Sequence, residues 1–283
     1  MKSGMLTVFQ VKDDAINHLL SIIIRHIFIL YWKMLTVKKR TLSALGSLAL
    51  LVTAAAHAGT WSIGASALVA PDPYRGDNDR VYPVPMVNYD SDSFYFHSLT
   101  AGYYLWKDQQ DQLSATAFYS PWRFRASDSD DWRMKRLNNR YATVMAGLSY
   151  SHHEAWGALR ASFVGDILDN SNGLVGDLAY LYTLHHGDWS FTPGVGVTWN
   201  SANQNSYYFG VSDSEARRSS LQQYSPENSW SPYLELTTYY RINADWNAFF
   251  AGRFVQLSSQ IKDSPMIAKS YTGMLWSGVT YRF

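Results

Sequence analysis

The sequence predicts an all-β protein, an antiparallel β-barrel that spans a membrane. Apolar and polar residues alternate in segments of about ten residues, the strand length that crosses a bilayer at a tilt. Aromatic residues make up 16% of the 283 residues and charged residues only 17%, below the roughly one quarter expected of a soluble domain. A secretory signal precedes the alternating part. Together these observations favour strands that face lipid over a soluble β-sandwich.

The N-terminal part of the chain is predicted to be a targeting segment. A basic start, an apolar stretch and a final small-x-small tripeptide make 34–58 a signal peptide, cleaved between Ala58 and Gly59. Because this signal peptide is complete, we expect residues 1–33 to be a non-native upstream extension; a second membrane anchor is the alternative. The mature domain is then 59–283.

Eleven segments of the mature chain have strand character. They are 60–69, 80–89, 92–105, 111–120, 141–151, 155–165, 174–184, 188–199, 230–241, 245–256 and 271–283. Bacterial single-chain barrels have an even number of strands, so we predict twelve, with Tyr207–Val211 as a candidate for the missing one. Ten is the alternative if 80–89 does not span, since Pro83 and Pro85 cannot donate to a ladder. The polar stretches 122–140 and 200–229 are predicted to be loops.

The last strand has a distinctive end. One face ends in Tyr281 and Phe283, and the chain stops there. This terminal aromatic pattern resembles the signal that outer-membrane barrels present to the barrel assembly machinery. With the signal peptide and the repeated strands, it indicates the Gram-negative outer membrane as the location.

Charge and cysteine content exclude several functions. The formal net charge is +1. Removing residues 1–58 takes away seven basic and two acidic residues and leaves −4. This balance leaves no excess of basic residues that would bind the phosphates of a nucleic acid. The absence of cysteine excludes disulfides, thiolate metal sites and a cysteine nucleophile. We predict no cofactor.

Four charged residues fall on the polar faces of predicted strands and are candidate lumen charges: Arg160, Glu235, Arg253 and Arg282. Lumen charges of this kind set ion selectivity in channels; the alternative is an ion-pair plug. We expect a largely filled interior because bulky side chains also point inward. These are Phe118, Met145, Phe249 and Trp276.

The run Leu168–Gly173 predicts a tight turn, because Asp, Asn, Ser and Gly form turns through side-chain to backbone hydrogen bonds. The alternative is functional: Asp169, Asn170 and Asn172 would then form a docking turn for a periplasmic partner.

The sequence gives no catalytic or metal site. Within His152–His153 and His185–His186, adjacent strand residues point to opposite faces, so neither pair can readily hold one ion. A lipid hydrolase would need a serine, a histidine and an acid held together, and the histidines lie mostly at turns. The charged residues Asp128, Asp130 and Asp131, with Arg125, Arg133 and Lys135, are predicted to form a solvated loop. Binding of divalent cations or lipopolysaccharide phosphates is the alternative.

Several segments resemble the MipA/OmpV family of bacterial outer-membrane proteins. They are Tyr82–Tyr89, Met145–Tyr150, Leu168–Gly173, Trp230–Leu236 and Asp263–Met266, and the resemblance extends over essentially all of 59–283. It implies an integral outer-membrane barrel in contact with lipid and lipopolysaccharide. It also implies a scaffold that joins a murein lytic transglycosylase to a class A penicillin-binding protein. A narrow solute pore or a surface adhesin is the alternative, and the resemblance brings no catalytic residues.

Overall fold

The computed structural model describes residues 59–77 and 80–283. The predictions for 1–33, for the signal peptide 34–58 and for Ala58 at the cleavage site lie outside these residues. No helix in the described ranges has the length and apolar character required to cross a membrane.

Thirteen β-strands form one sheet. They are β1 (Thr60–Ala70), β2 (Arg80–Asp90), β3 (Phe94–His97), β4 (Thr100–Lys107), β5 (Asp111–Ser120), β6 (Thr143–Glu154), β7 (Gly157–Asp166), β8 (Leu174–Leu181), β9 (Leu184–His186), β10 (Trp189–Asn200), β11 (Ser229–Arg241), β12 (Trp246–Gln256) and β13 (Tyr271–Arg282).

The sheet closes on itself. Each strand pairs antiparallel with its neighbours, and β13 returns to β1 in a continuous register from Ser62↔Arg282 to Val69↔Leu275. The short β9 continues β8, since both pair with β10. The wall therefore has twelve strands, and the predicted all-β antiparallel barrel is confirmed.

The twelfth strand does not arise where the sequence suggested. The segment 92–105 contains two strands, β3 and β4, which meet at a tight turn where Ser98 has a φ of 52°. Tyr207–Val211 belongs instead to a helical loop. Despite Pro83 and Pro85, β2 is a full strand, because it pairs along its whole length with β1. The alternative of ten strands is wrong.

The two faces of the wall have the expected chemistry. Outward side chains between the two rims are apolar and exposed, including Leu148, Leu178, Val195, Leu234 and Leu275. Aromatic pairs form a belt at each rim, as in barrels that face lipid. One belt contains Trp156–Tyr180, Trp189–Tyr240 and Trp246–Tyr281; the other contains Phe163–Trp199, Trp199–Trp230 and Phe254–Tyr271.

The two ends of the barrel differ. At one end, which we call the turn end, the chain enters β1 and leaves β13, and the other connections there are short. At the opposite end, the loop end, the segments after β1, β5, β10 and β12 are long. They carry α1 (Ala202–Phe209), α2 (Asp213–Ser219), α3 (Ser259–Lys262) and two single-turn 3-10 helices, Ala126–Asp128 and Met134–Arg136.

The loop-end segments pack into an apolar cluster, which we call the cap. Its members include Tyr74, Phe124, Met134, Tyr208, Phe209, Val211, Leu221, Ile261, Met266 and Ile267. Phe124, Met134, Val211 and Met266 are completely buried. Stretches that the sequence marked as polar loops therefore contain the main hydrophobic core.

Candidate functional site

Four charged residues and one tyrosine meet inside the barrel. Glu235 on β11 accepts hydrogen bonds from Arg160 on β7 and from Arg253 on β12, each at 2.8 Å. Asp177 on β8 accepts a hydrogen bond from the Tyr233 hydroxyl at 2.7 Å. We call these five residues the lumen network. The sequence predicted three of its members but not Asp177 or Tyr233.

The lumen network is electrically balanced. A second set of contacts links its halves, because Arg253 Nη1 lies 3.6 Å and Arg160 Nη2 4.0 Å from Asp177. The Arg253 guanidinium also stacks 3.9 Å from the centroid of the Tyr233 ring, a geometry in which the ring attracts the cation. Two arginines are thus paired with two carboxylates, which is the arrangement that an ion-pair plug requires.

The fourth predicted lumen charge is not part of this network. Arg282 is exposed at the end of β13, where its backbone N–H donates to the Asp245 carbonyl at 2.8 Å. The two neighbouring aromatic residues, Tyr281 and Phe283, pack edge to face at 5.1 Å at the same end of the barrel. Their role as an assembly signal stays a prediction.

A second polar cluster lies near the turn end. Asp90 on β2 accepts hydrogen bonds from Lys107 Nζ at 2.8 Å and from the Tyr104 hydroxyl at 3.0 Å. His97 Nε2 lies 3.5 Å from the same carboxylate. This arrangement ties the short β3–β4 hairpin to β2, and the sequence did not single it out.

The cap contains a buried ion pair. Arg140 Nη2 donates to Glu215 at 2.9 Å, and the two side chains are only 8% and 3% exposed. Glu215 also accepts from the Asn138 N–H at 2.9 Å and closes a capping box with Ser212 at the start of α2. Burial alone raises the pKa of Glu215, but the two backbone N–H donors and Arg140 outweigh burial. The pKa therefore lies below its ordinary value.

The predicted docking turn is a tightly bonded structural turn. The Asp166 carboxylate accepts the backbone N–H groups of Leu168, Asn170, Ser171 and Asn172. Asp169 and Asn172 adopt positive φ angles of 58° and 49°, which Asp and Asn tolerate better than most residues.

This turn lies at the loop end, opposite the start of β1 and the end of β13, and packs on α1. Ser171 donates to Gln204 at 2.8 Å, and Asn203 donates to the Asn172 carbonyl at 3.2 Å. Asn170 Nδ2 donates to the Ala142 carbonyl at 3.1 Å, so its side chain serves the fold. Docking of a partner at Asp169, Asn170 and Asn172 stays untested.

The histidines at the turn end have at most one carboxylate neighbour each within the described residues. His152 Nδ1 lies 2.8 Å from Asp111, which also accepts the Tyr150 hydroxyl. His185 and His186 are exposed in β9. Within 59–77 and 80–283, no group of three or more His, Asp or Glu side chains is arranged to hold a metal ion.

Comparison with known proteins gives a consistent result over nearly all of the described residues. The family model described as "MltA-interacting protein MipA" matches residues 63–283. The "MltA-interacting protein" of Escherichia coli K12 is 49% identical over 246 residues, which is 87% of this chain and 99% of that protein. The "putative outer membrane protein YiaT" of Escherichia coli O157:H7 is 40% identical over 83% of this chain and 96% of its own length.

More distant similarities are also to outer-membrane proteins. OmpV of Vibrio cholerae is 28% identical over 53% of this chain and 58% of its own length. Among solved structures, the COG4313 outer-membrane channel of Pseudomonas putida F1 has a TM-score of 0.42 at 11% identity, covering 80% of this chain and 95% of that one. Since this score is low, the fold assignment depends on the strand pairings described above.

Proposed function

The chain belongs to the MipA family, and on that premise we propose that it is a non-catalytic scaffold for murein enzymes. In this proposal it binds a lytic transglycosylase of the MltA type and joins it to a class A penicillin-binding protein. The observation that carries the proposal is the 49% identity, over nearly the full length, to a protein named for its interaction with MltA. The relatives compared above bear names of interacting or outer-membrane proteins, not of enzymes.

The protein is an integral barrel of the outer membrane, and its ends can be assigned to the two sides. Outer-membrane barrels have short periplasmic turns and longer extracellular loops. The turn end therefore faces the periplasm and the cap faces outward. A periplasmic partner would meet the turn end, whereas Asp169, Asn170 and Asn172 lie at the extracellular end.

The charge distribution supports a partner at the turn end. The lumen network is neutral, and the acidic side chains of the turn end outnumber the basic ones. They are Asp90, Asp92, Asp108, Asp111, Glu154, Asp188 and Asp245, against Lys107, Arg241 and Arg282. An acidic rim favours a basic partner face and a binding rate that falls with added salt.

The first test is binding with purified components. The folded protein, extracted in detergent, is immobilised beside an unrelated outer-membrane barrel of similar size. An MltA-type transglycosylase from the same host is passed over both, followed by a class A penicillin-binding protein. A scaffold retains the transglycosylase and then the second enzyme. Retention of neither enzyme, or equal retention on the control barrel, would refute the proposal.

Matched variants test which end binds. Asp92→Asn with Asp108→Asn removes two exposed turn-end charges, and Asp130→Asn with Asp213→Asn removes two exposed loop-end charges. We expect weaker transglycosylase binding only for the first pair. An equal effect of both pairs would contradict the assignment of the turn end.

The alternative of a narrow solute pore has less structural support. The cap is packed over the loop end, and the lumen network places paired side chains inside the barrel. We therefore expect only small or brief single-channel currents from the purified protein in planar bilayers. Large, long-lived currents would favour the pore.

A further inference from the structure

A polar cleft opens between the loop segments of the cap. Its volume is about 440 Å³, which falls within the ~300–1,000 Å³ range of small-molecule sites. One side is the stretch 138–140 before β6, and the other is formed by the end of α1, the start of α2 and residues 224–225. We call it the cap cleft.

Paired backbone segments fix the shape of the cap cleft. Arg140 and Phe124 exchange backbone hydrogen bonds of 2.8 and 3.0 Å, and Val211 and Tyr224 exchange bonds of 2.9 and 3.0 Å. Arg140 and Glu215, the buried ion pair described above, form its floor. A ligand would therefore meet a preformed surface and would not have to order the loops on binding.

Two tyrosine rings line the cap cleft, and bonds at their hydroxyl ends hold them in place. The Tyr207 hydroxyl accepts the Tyr141 N–H at 2.8 Å. The Tyr224 hydroxyl donates to the Gln260 carbonyl at 3.2 Å. Since both hydroxyls are engaged, the rings offer a ligand mainly their aromatic surface. The negative face of such a ring attracts groups with partial positive charge, including the C–H groups on the face of a sugar ring.

The polar atoms that remain available in the cap cleft are uncharged amide and hydroxyl groups. The Asn138 amide oxygen accepts from Arg218 Nη2, and the Asn139 amide oxygen accepts the Ala126 N–H at 2.9 Å. Both Nδ2 groups are thus left as donors toward the cleft. Ser225 is exposed, and its hydroxyl bonds to no other described residue. These groups can both donate to and accept from a ligand.

The lining of the cap cleft carries no unpaired charge. Two charged residues line it, Arg140 and Glu215, and they contact each other. Both carboxylate oxygens of Glu215 already accept hydrogen bonds from backbone N–H groups. Charged residues just outside the lining are of both signs and include Arg136, Arg218, Asp166 and Asp263. The cleft therefore favours an uncharged ligand over an anion, a cation or a zwitterion.

Uncharged donors and acceptors beside two fixed aromatic rings match the chemistry of a neutral sugar. Each sugar hydroxyl both donates and accepts, and the faces of the sugar ring present C–H groups. We propose that the cap cleft binds a short neutral saccharide. Asn138, Asn139 and Ser225 hydrogen-bond its oxygens, while Tyr207 and Tyr224 pack against its faces. The proposal does not depend on the scaffold function, since it concerns the loop end and not the turn end.

Saturation-transfer NMR with the purified, folded protein tests the proposal. The protein is kept in a zwitterionic detergent, because a detergent with a sugar head group would compete for the cleft. The neutral probes are the methyl glycosides of glucose, galactose, mannose and N-acetylglucosamine, and the charged probes are glucuronate and glucose 1-phosphate. Titration of each probe gives its dissociation constant.

We expect saturation transfer to the ring C–H protons of at least one neutral glycoside. No transfer to any of the four would overturn the proposal. Tighter binding of either charged probe than of every neutral one would overturn the assignment of a neutral ligand.

A variant that fills the cap cleft locates the binding. Ser225→Phe places a ring in the cleft at an exposed position, so we expect transfer to the glycoside to be lost. Ser127→Phe is the matched control, because Ser127 is an exposed serine of the loop end outside the cleft. Folding of both is checked by heat-modifiable migration on gels. Binding that survives Ser225→Phe, or that is lost equally in the control, would overturn the site.

A second pair of variants tests the amide donors. Asn139→Asp keeps the oxygen that accepts the Ala126 N–H but removes the Nδ2 donor, so binding should weaken about tenfold. Asn228→Asp is the matched control, because the Asn228 amide oxygen accepts the Ala202 N–H in the same way but outside the cleft. Equal affinity of the two variants would overturn the role of Asn139. A failed transglycosylase pull-down would leave all these readouts unchanged.

Discussion

Removing one charge from the cap tests how the loop end is held together. In Glu215→Gln the side chain keeps nearly the same shape, but Arg140, 8% exposed, loses its counter-charge. Breaking a buried pair by removing one partner costs about 3–5 kcal/mol. The Asn138 and Ser212 N–H groups bond to different oxygens of the carboxylate, and the amide oxygen of Gln can still accept one of them. We therefore expect the lower end, about 3 kcal/mol, which is about a hundredfold change in the opening equilibrium.

Amide hydrogen exchange measures this opening directly. The reporters are Val211 and Tyr224, whose N–H groups bond to each other's carbonyls at 2.9 and 3.0 Å within the cap. We expect protection at both to fall about a hundredfold, with no change in the strand amides of the wall.

Asp213→Asn is the matched control on the same helix, because Asp213 pairs with Arg217 on the surface, where both side chains are more than 60% exposed. Exposed pairs contribute about 0–1 kcal/mol, so its effect should be small. If Glu215→Gln were no more disruptive than Asp213→Asn, the ion pair would not hold the cap.

The same pair predicts a pH dependence. The pKa of Glu215 is lower in the folded protein than its ordinary value of 4.5. A depressed carboxyl pKa contributes stability that is fully present above the unfolded-state value and is lost as the pH falls through the folded-state pKa. Cap protection should therefore be constant near neutral pH and decline below about pH 4.5. In Glu215→Gln this decline should be absent; a decline of equal size would assign it to other groups.

The remaining predictions concern the lumen network, the loop-end turn and the rim at the turn end. Glu235→Gln leaves Arg160 and Arg253 without their shared carboxylate, so we expect a lower unfolding temperature and larger single-channel currents. Wild-type values for both would show that the lumen network neither stabilises the barrel nor blocks ion flow through it. Asp166→Ala removes the acceptor of four backbone N–H groups, and we expect the turn to lose about 2 kcal/mol of protection in hydrogen exchange. Asp169→Asn, which keeps a residue tolerant of positive φ, should change little. Transglycosylase binding should weaken between low and physiological salt, and salt-independent binding would contradict an electrostatic docking surface.

The sequence alone determined the fold class, most strand positions and the face on which each strand side chain lies. A strand has a side-chain period of two, so alternation assigns Leu234 to lipid and Glu235 to the lumen without reference to any other strand. The same rule assigns Arg160 and Arg253 to the polar faces of their strands. These inferences are local, and they depend on neighbouring residues in one segment.

Only the tertiary structure decided the features that join distant segments. Arg140 and Glu215, like Arg160 and Glu235, are 75 residues apart, and their pairing depends on how the barrel closes. The cap was missed because its apolar residues are scattered through polar loops without a helix or strand period.

The number of strands also depended on the tertiary structure. A two-residue turn at Ser98 divides a segment in which the alternation of apolar and polar residues is continuous. Pro83 and Pro85 posed a contradiction in the sequence, since a spanning strand needs its N–H groups. The structure resolves it: where the neighbouring hairpin stops short, those N–H groups would have no acceptor.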